Sequence, residues 1–528
     1  MSMTGRLAAI FISGLLFAIA FPPLDMWYVA WVGLVPLLVM LRSASWHVAL
    51  LAAFLFGVVA CALHVWWMNL VPAFPALAFL TIICYAAIFF GIFGLVYRLL
   101  TRYPVWFEVV GAALVWTGLE YLRSNLGFLS IPWVLAGYTQ YTTIPVLQFA
   151  SLASVYGVSF LVVIVNAMLA RFVPELKRRR GQEATEPANR FTTLTTAAMV
   201  LTCIVMVTGW GTFRVLAQEA NDENRAQLRV ALIQGNVPEY IKRDAAFNKE
   251  VMEKYKRMSA HVALENPDLI VWPETATPGY LSMDKSLAKE VSSLVRATDA
   301  YYLIGSSTIR KGGMGEKRNY SSRNSAFLLN PDGNIVTRYD KVRLLPFAEY
   351  LPARHVVHWP KWLVPVNGVL QAGRTHEVFD MEERRFGVVI CWESLFPELF
   401  REFVRQGAEF MVNITNEAWF EDSWASPQLL AMSVFRAVEN GVPLLRVANT
   451  GISTIIDPYG RIGTRVVDIH GNDQRVEGSL IVDVPNSSMS TFYGSYGDKP
   501  LLAVLIIGMI ILIMVGMLDS NRHDKGHI

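Results

Sequence analysis

Long apolar runs alternate with short polar pieces over the first 213 residues, and the pattern returns near the end of the chain. Windows long enough to cross a bilayer, about 20 residues each, occur at 7–21, 26–41, 47–68, 73–97, 104–121, 145–170, 192–213 and 501–518. They predict eight spans, seven before a long polar region and one after it. The first window is short, but Phe21-Pro22-Pro23-Leu24 lacks the small residues of a signal cleavage site, so it is read as an uncleaved span. The segments are thus 1–213 with seven spans, 214–498 outside the membrane, and 499–528 with the last span and a tail.

Between the seventh and eighth spans the texture changes to short β-branched runs separated by amphipathic stretches, the pattern of an α/β domain. Strands are predicted at 228–234, 269–272, 301–306, 325–330, 335–339, 386–390, 410–414, 444–448, 454–457 and 479–484. Helices fit 245–265, 284–298, 396–406 and 426–440. Asn330-Pro331-Asp332-Gly333 and Asp457-Pro458-Tyr459-Gly460 read as hairpin turns, because proline presets φ and glycine accepts positive φ.

Composition supports the division. Hydrophobic residues make up 53% of the 528 positions, too many for one soluble fold. Charge orients the spans, since Lys and Arg accumulate on the cytoplasmic side. Arg6, Arg42, Arg98 with Arg102, the run Lys177-Arg178-Arg179-Arg180, and Arg522 with Lys525 mark alternate polar pieces; 22–25 and 69–72 have no basic residue, and 122–144 has only Arg123. Both termini are therefore expected in the cytoplasm and residues 214–498 on the opposite face. The run at 177–180 is read as a topology determinant, with anionic-lipid binding as the lesser alternative. A net charge of +3 gives no basis for nucleic-acid binding.

Candidate chemistry lies just past three of the predicted strands, where α/β folds place it. Pro273 stops a strand and presents Glu274; Lys341 follows Tyr339-Asp340; Cys391 ends the run Phe386-Gly387-Val388-Val389-Ile390. Cys391 is also the one cysteine outside the apolar segments, Cys61, Cys84 and Cys203 all lying within them. Singly these are ordinary features: a strand-end cap, a surface lysine, a core thiol. Together a carboxylate, an ammonium and a thiol would supply base, electrophilic stabiliser and nucleophile. No His/Cys spacing of the zinc type and no phosphate-binding loop is present, so neither metal nor cofactor is expected.

Trp272-Pro273-Glu274, Asp340-Lys341-Val342-Arg343-Leu344-Leu345-Pro346 and Cys391-Trp392-Glu393 closely resemble the W-P-E, D-K-x-x-L-x-P and C-[YW]-E motifs of the nitrilase, or carbon–nitrogen hydrolase, superfamily, in order and spacing. Val230–Asn236 and Asn413–Phe420 resemble it too, with Glu417 and Trp392 standing where many members have aspartate and tyrosine. Seven spans before such a domain and one after it resemble the apolipoprotein N-acyltransferase branch, over essentially the whole chain. The resemblance implies a helical membrane bundle joined to an α-β-β-α sandwich in a bacterial inner membrane, with the catalytic domain in the periplasm. It implies transfer of an acyl chain from a membrane phospholipid to the N-terminal amine of a diacylglyceryl-cysteine on an apolipoprotein, through a thioester on Cys391. Glu274 would be the base, with Lys341 and the Trp392 backbone N–H as oxyanion donors. Glu349 and Glu393 would support them.

Between 346 and 373 the chain is rich in Pro, Trp and Val. It is read as a lid carrying Trp359, Trp362, Leu363 and Val364 into the outer leaflet, with a loop packed on the domain core as the alternative. Trp133, Tyr138 and Tyr141 shape an entrance or form an interfacial belt; His64 and Glu120 are intramembrane polar groups without an assigned role. A membrane-tethered amidase or nitrilase, with water as acceptor, stays open, because the triad is common to both reactions.

Overall fold

The computed structural model describes residues 2–71, 74–179, 190–219, 227–311, 320–360, 369–382, 384–486 and 489–524. The chain forms two compact units, one from Met1–Asn69, Phe74–Leu216 and Tyr496–Ile528, the other chiefly from Ala217–Ser495.

In the helical unit, five helices among the described residues are long and apolar enough to cross a membrane: Trp46–His64, Ala76–Leu100, Val105–Ser124, Ala150–Val173 and Arg190–Ala217. The first and second predicted spans correspond to shorter apolar pieces, Met3–Ile19 and Trp27–Arg42, and the last to the helix Lys499–Asp524. Among the described residues, five of the eight predicted spans thus match a helix that meets both the length and the hydropathy of a crossing, and the second does not. The second window shows why. It breaks into a 3-10 turn, Trp27–Trp31, and a helix, Val35–Arg42, which leaves backbone groups free at the break. Asn166 takes them up, its Oδ1 accepting from Leu34 N at 2.9 Å and its Nδ2 donating to Ala30 O at 2.8 Å. Ser13 Oγ accepts from Leu37 N at 3.0 Å. An irregular backbone survives in such surroundings only when polar side chains replace the missing partners.

Small residues let the helices pack closely. A Cβ on Gly94 would lie 2.3 Å from Ala53 Cβ, which locks Ala76–Leu100 against Trp46–His64. Glu108, fully buried, pairs with Arg42 and Arg171 and accepts from Tyr97 Oη, so one carboxylate ties several helices together. Glu120 also has a structural place: its Oε1 accepts from Trp116 Nε1 and Ala136 N, both at 2.8 Å. Tyr138 and Tyr141 are buried, and Tyr141 Oη donates to Asp25 Oδ1.

The second unit holds two six-stranded sheets. The strands are β1 (Gln227–Gln234), β2 (Leu269–Val271), β3 (Tyr301–Lys311), β4 (Tyr320–Leu329), β5 (Ile335–Asp340), β6 (Phe379–Asp380), β7 (Arg385–Ile390), β8 (Phe410–Thr415), β9 (Leu444–Ala448), β10 (Thr454–Ile456), β11 (Ile462–Arg465) and β12 (Gly478–Pro485). Their orders are β12-β1-β2-β3-β4-β5 and β11-β10-β9-β8-β7-β6. In each sheet the three strands β1–β3 or β7–β9 run parallel, with antiparallel strands at the edges. Both anticipated hairpins form, Gly333 and Gly460 adopting φ of 76° and 86°. The sequence reading missed β6 and β11, two short edge strands whose pairing depends on neighbours and not on their own periodicity.

Helices Asn248–Ala263 and Lys285–Thr298 cover the first sheet, with Val251, Tyr255, Val291 and Val295 meeting Ile233, Ile270, Tyr302 and Ile304 in one core. Trp272 anchors it, fully buried, stacked on Tyr255 at 4.8 Å and donating to Ser259 Oγ at 2.9 Å. Pro397–Arg405 and Ala425–Asn440 cover the second sheet, and β1 meets β9 and β4 meets β7 between the sheets. The layers run helix, sheet, sheet, helix. The C-terminal ends of the parallel strands therefore gather at one place.

Asn166→Leu is expected to lower the thermal midpoint of the full-length protein in detergent, since it strands two backbone groups at about 1–3 kcal/mol each. A midpoint equal to wild type would show that the break at 32–34 does not need this side chain.

Candidate active site

Glu274 stands three residues beyond β2 because Pro273 cannot continue the ladder. The segment lies directly against β3, and a Cβ on Gly305 would fall 2.2 Å from Pro273 O, so only glycine lets the two backbones approach. The Glu274 carboxylate is buried and held by two donors, Asn324 Nδ2 on Oε1 at 2.6 Å and Asn416 N on Oε2 at 2.7 Å. Lys341 leaves the end of β5, its backbone N donating to Asn324 O at 2.8 Å. Its ammonium is buried, 3.7 Å from Glu274 Oε1 and 2.7 Å from Glu349 Oε1. Glu349 in turn accepts from Leu345 N at 2.7 Å.

Cys391 arrives from the other sheet. It ends β7 with φ of 57°, the left-handed region that side chains with a Cβ avoid, and opens the 3-10 turn Cys391–Leu395. The sharp turn leaves Cys391 half-buried while Ile390 before it and Glu393 after it are fully buried.

The next two residues reach across to the lysine loop. Glu393 Oε1 accepts from Val342 N and Arg343 N, both at 2.8 Å, Oε2 accepts from Ile390 N at 2.8 Å, and Tyr339 Oη donates to both oxygens at 3.0 Å. Trp392 Nε1 donates to Arg343 O at 2.6 Å, with its ring edge-on to Phe396. Both sides of the Arg343 peptide are thus fixed by residues adjoining Cys391.

Glu274, Lys341, Cys391, Glu349, Glu393 and Trp392 all belong to this one cluster. Trp359 does not join it: its Nε1 donates to Pro352 O at 2.6 Å and its ring packs edge-on against Phe347 at 4.9 Å. Trp362, Leu363 and Val364 lie outside the described residues. The sequence reading missed Asn324, Asn416 and Lys242. Lys242 Nζ donates to Glu274 O at 3.3 Å, and burial pushes its ammonium down to about 8 against the charges of Glu239 and Glu274. Asn416 had a signal, since it lies in the Asn413–Phe420 stretch; Asn324 had none, being one polar residue among several in β4.

Electrostatics set the resting state. Burial, then the charge of Glu274, pushes the Cys391 thiol up to about 12, with Lys341 and Thr415 opposing. A thiol held there is neutral at physiological pH. Burial also raises the Glu274 carboxyl, Lys341 opposing and Glu349 assisting. Burial lowers the Lys341 ammonium, but Glu349, Glu274, Cys391 and Glu393 outweigh it and hold the group firmly protonated. Burial pushes Glu393 up to about 7, although Lys341 and its donors favour the anion.

The coupling is open to a direct test in the substrate-free protein. Alkylation of Cys391 by iodoacetamide is expected to climb with pH well into the alkaline range. Glu274→Gln removes a like charge and shifts the curve to lower pH, whereas Lys341→Met removes the opposing charge and shifts it upward. Coincident curves for the three proteins would refute the coupling.

Comparison with known proteins follows the same division. A carbon-nitrogen hydrolase family model matches residues 229–492, and a model of the apolipoprotein N-acyltransferase N-terminal domain matches residues 13–168. The chain is 35% identical to the apolipoprotein N-acyltransferase of Geobacter metallireducens, over 97% of this chain and 96% of that protein. It is 27% identical to the Haemophilus influenzae protein of that name, over 97% and 95%. Among solved structures it is similar to an amidase of the nitrilase superfamily from Nesterenkonia, at 17% identity and a TM-score of 0.37, covering 50% of this chain and 93% of that one. By its likeness over almost its whole length, the chain belongs to the apolipoprotein N-acyltransferase family.

Proposed function

We propose that the protein transfers an acyl chain from a membrane phospholipid to the N-terminal amine of a diacylglyceryl-cysteine on an apolipoprotein. The observation that carries this reading is the meeting of Glu274, Lys341 and Cys391 in one cluster, in a chain whose described residues include five helices of membrane-spanning length. Residues 1–213 form the membrane domain, 214–498 the catalytic domain and 499–528 a second membrane attachment. The alternating basic pieces favour cytoplasmic termini and a periplasmic catalytic domain in a bacterial inner membrane.

In the first half-reaction Glu274 accepts the Cys391 proton as sulfur attacks the ester carbonyl of the phospholipid. A carboxyl raised by burial is a stronger base than a solvated one, and the attack needs it because the thiol rests protonated. The carbonyl oxygen becomes an oxyanion, stabilised by the Lys341 ammonium and the Trp392 backbone N–H. Lys341 suits this task because Glu349 and Glu274 keep it charged in a buried position. Collapse breaks the ester C–O bond, Glu274 returns its proton to the departing lysophospholipid oxygen, and the acyl group stays on Cys391 as a thioester.

In the second half-reaction Glu274 takes a proton from the acceptor amine as nitrogen attacks the thioester carbonyl. Collapse releases the amide and a thiolate that recovers the proton. A covalent intermediate lets two bulky lipids use one site in turn. Glu349 and Glu393 act through others, the first by fixing Lys341 and the second by joining the Cys391 turn to the Lys341 loop.

Intact-protein mass spectrometry after incubation with micelles of a defined diacyl phospholipid tests the reading. Wild type is expected to gain one acyl mass, Cys391→Ala none, and Glu274→Gln is expected to acylate roughly 10²–10⁴-fold more slowly. An unmodified wild type that instead cleaves a small amide would overturn it in favour of a tethered amidase.

A further inference from the structure

We propose that Asn413, held by the buried ion pair of Arg446 and Glu417, is a positioning residue that keeps the Cys391 backbone in its left-handed conformation. The proposal rests on Cys391 being the nucleophile, but its geometry stands apart from that reading.

Asn413 lies in β8 between β7 and β9, in register with Val389 on one side and Arg446 on the other. Parallel strands covered on both faces are normally near-continuous apolar runs. Here Phe-Met-Val-Asn-Ile-Thr and Leu-Leu-Arg-Val-Ala each carry a polar residue in the interior, and the two stand side by side. Asn413 is fully buried, and Arg446 and Glu417 are 1% exposed. Such groups persist only when paired. Arg446 donates to Asn413 Oδ1 at 3.2 Å and to Glu417, which also accepts from Ser426 Oγ and from Thr415 Oγ1. A Cβ on Gly451 would fall 2.1 Å from Glu417 Oε2, so the carboxylate is wedged against backbone.

Guanidinium can only donate, so the oxygen of the Asn413 amide faces Arg446 and its NH2 faces away. That NH2 donates to Cys391 O at 3.2 Å and Val389 O at 3.3 Å, the carbonyls on either side of the point where β7 turns. A φ of 57° at a residue with a Cβ needs such external support. The ion pair thus sets the direction of one amide, and the amide grips the turn that carries the thiol. Thr415 joins the same network by donating to Glu417.

The test uses the full-length protein in detergent with two variants. Asn413→Ala removes the grip; Asn413→Asp keeps the shape and still accepts from Arg446 but cannot donate to the two carbonyls. Hydrogen exchange of the amides in 391–395 is expected to rise at least about tenfold in both, with β1 unchanged. Acyl-enzyme formation is expected to slow roughly 10- to 100-fold at unaltered half-saturation by phospholipid. Wild-type exchange in that turn, or a rate loss no larger than the fraction of protein unfolded at the assay temperature, would overturn the proposal. A wild type that never acylates sinks the acyl-transfer reading alone, and the exchange measurement still decides the positioning role.

Discussion

The Glu393 carboxylate joins the two halves of the site. It accepts from the end of β7 through Ile390 N and from the lysine loop through Val342 N and Arg343 N, while Tyr339 caps both oxygens. The thiol and the ammonium come from different sheets, so nothing local sets their separation. A charge-assisted hydrogen bond is about twice as strong as a neutral one, and here several converge on a fully buried anion. Trp392 adds a bond to the other side of the same peptide. The Cys391 turn and the Lys341 loop are therefore bridged by Glu393, two positions beyond the cysteine.

Charge balance follows from that clamp. Lys341 is flanked by Glu274 and Glu349 and feels Glu393 as well, so it lies against three carboxylates, and Lys242 adds a second positive charge near Glu274. Removing any one partner would leave another charge uncompensated in a dry setting. Burial keeps Cys391 protonated at rest, with Glu274 assisting and Lys341 opposing. A thiol kept neutral in this way resists oxidation and alkylation, which act on the thiolate.

Behind the nucleophile a second set of buried polar groups does comparable work. Arg446 and Glu417 are neutral as a pair but fix the direction of Asn413, and through it the turn at Cys391. In the helical unit the same rule appears at Asn166, which satisfies an interrupted backbone, and at Glu108, which gathers two arginines. In each case a buried polar residue in an apolar stretch is held by partners from other elements.

The chemistry at the strand ends was legible because it is written locally: Pro273 stops a strand before Glu274, and an apolar run breaks at Cys391. The hairpins were legible for the same reason, through proline and glycine. The polar partners were not. Asn324 lies 50 residues from the Glu274 it orients, and Asn416 lies 142 away, so their roles depend on strand order and register. The break in the second window also escaped composition, since Trp27–Arg42 reads as apolar whether or not its helix is continuous. The sequence by itself determined the alternation of membrane and α/β segments and the three reactive side chains, because periodicity and strand-end residues act over a few positions. Only the tertiary structure decided which donors hold them and what charge they bear, because burial and contact between distant strands exist only once the sheets have packed.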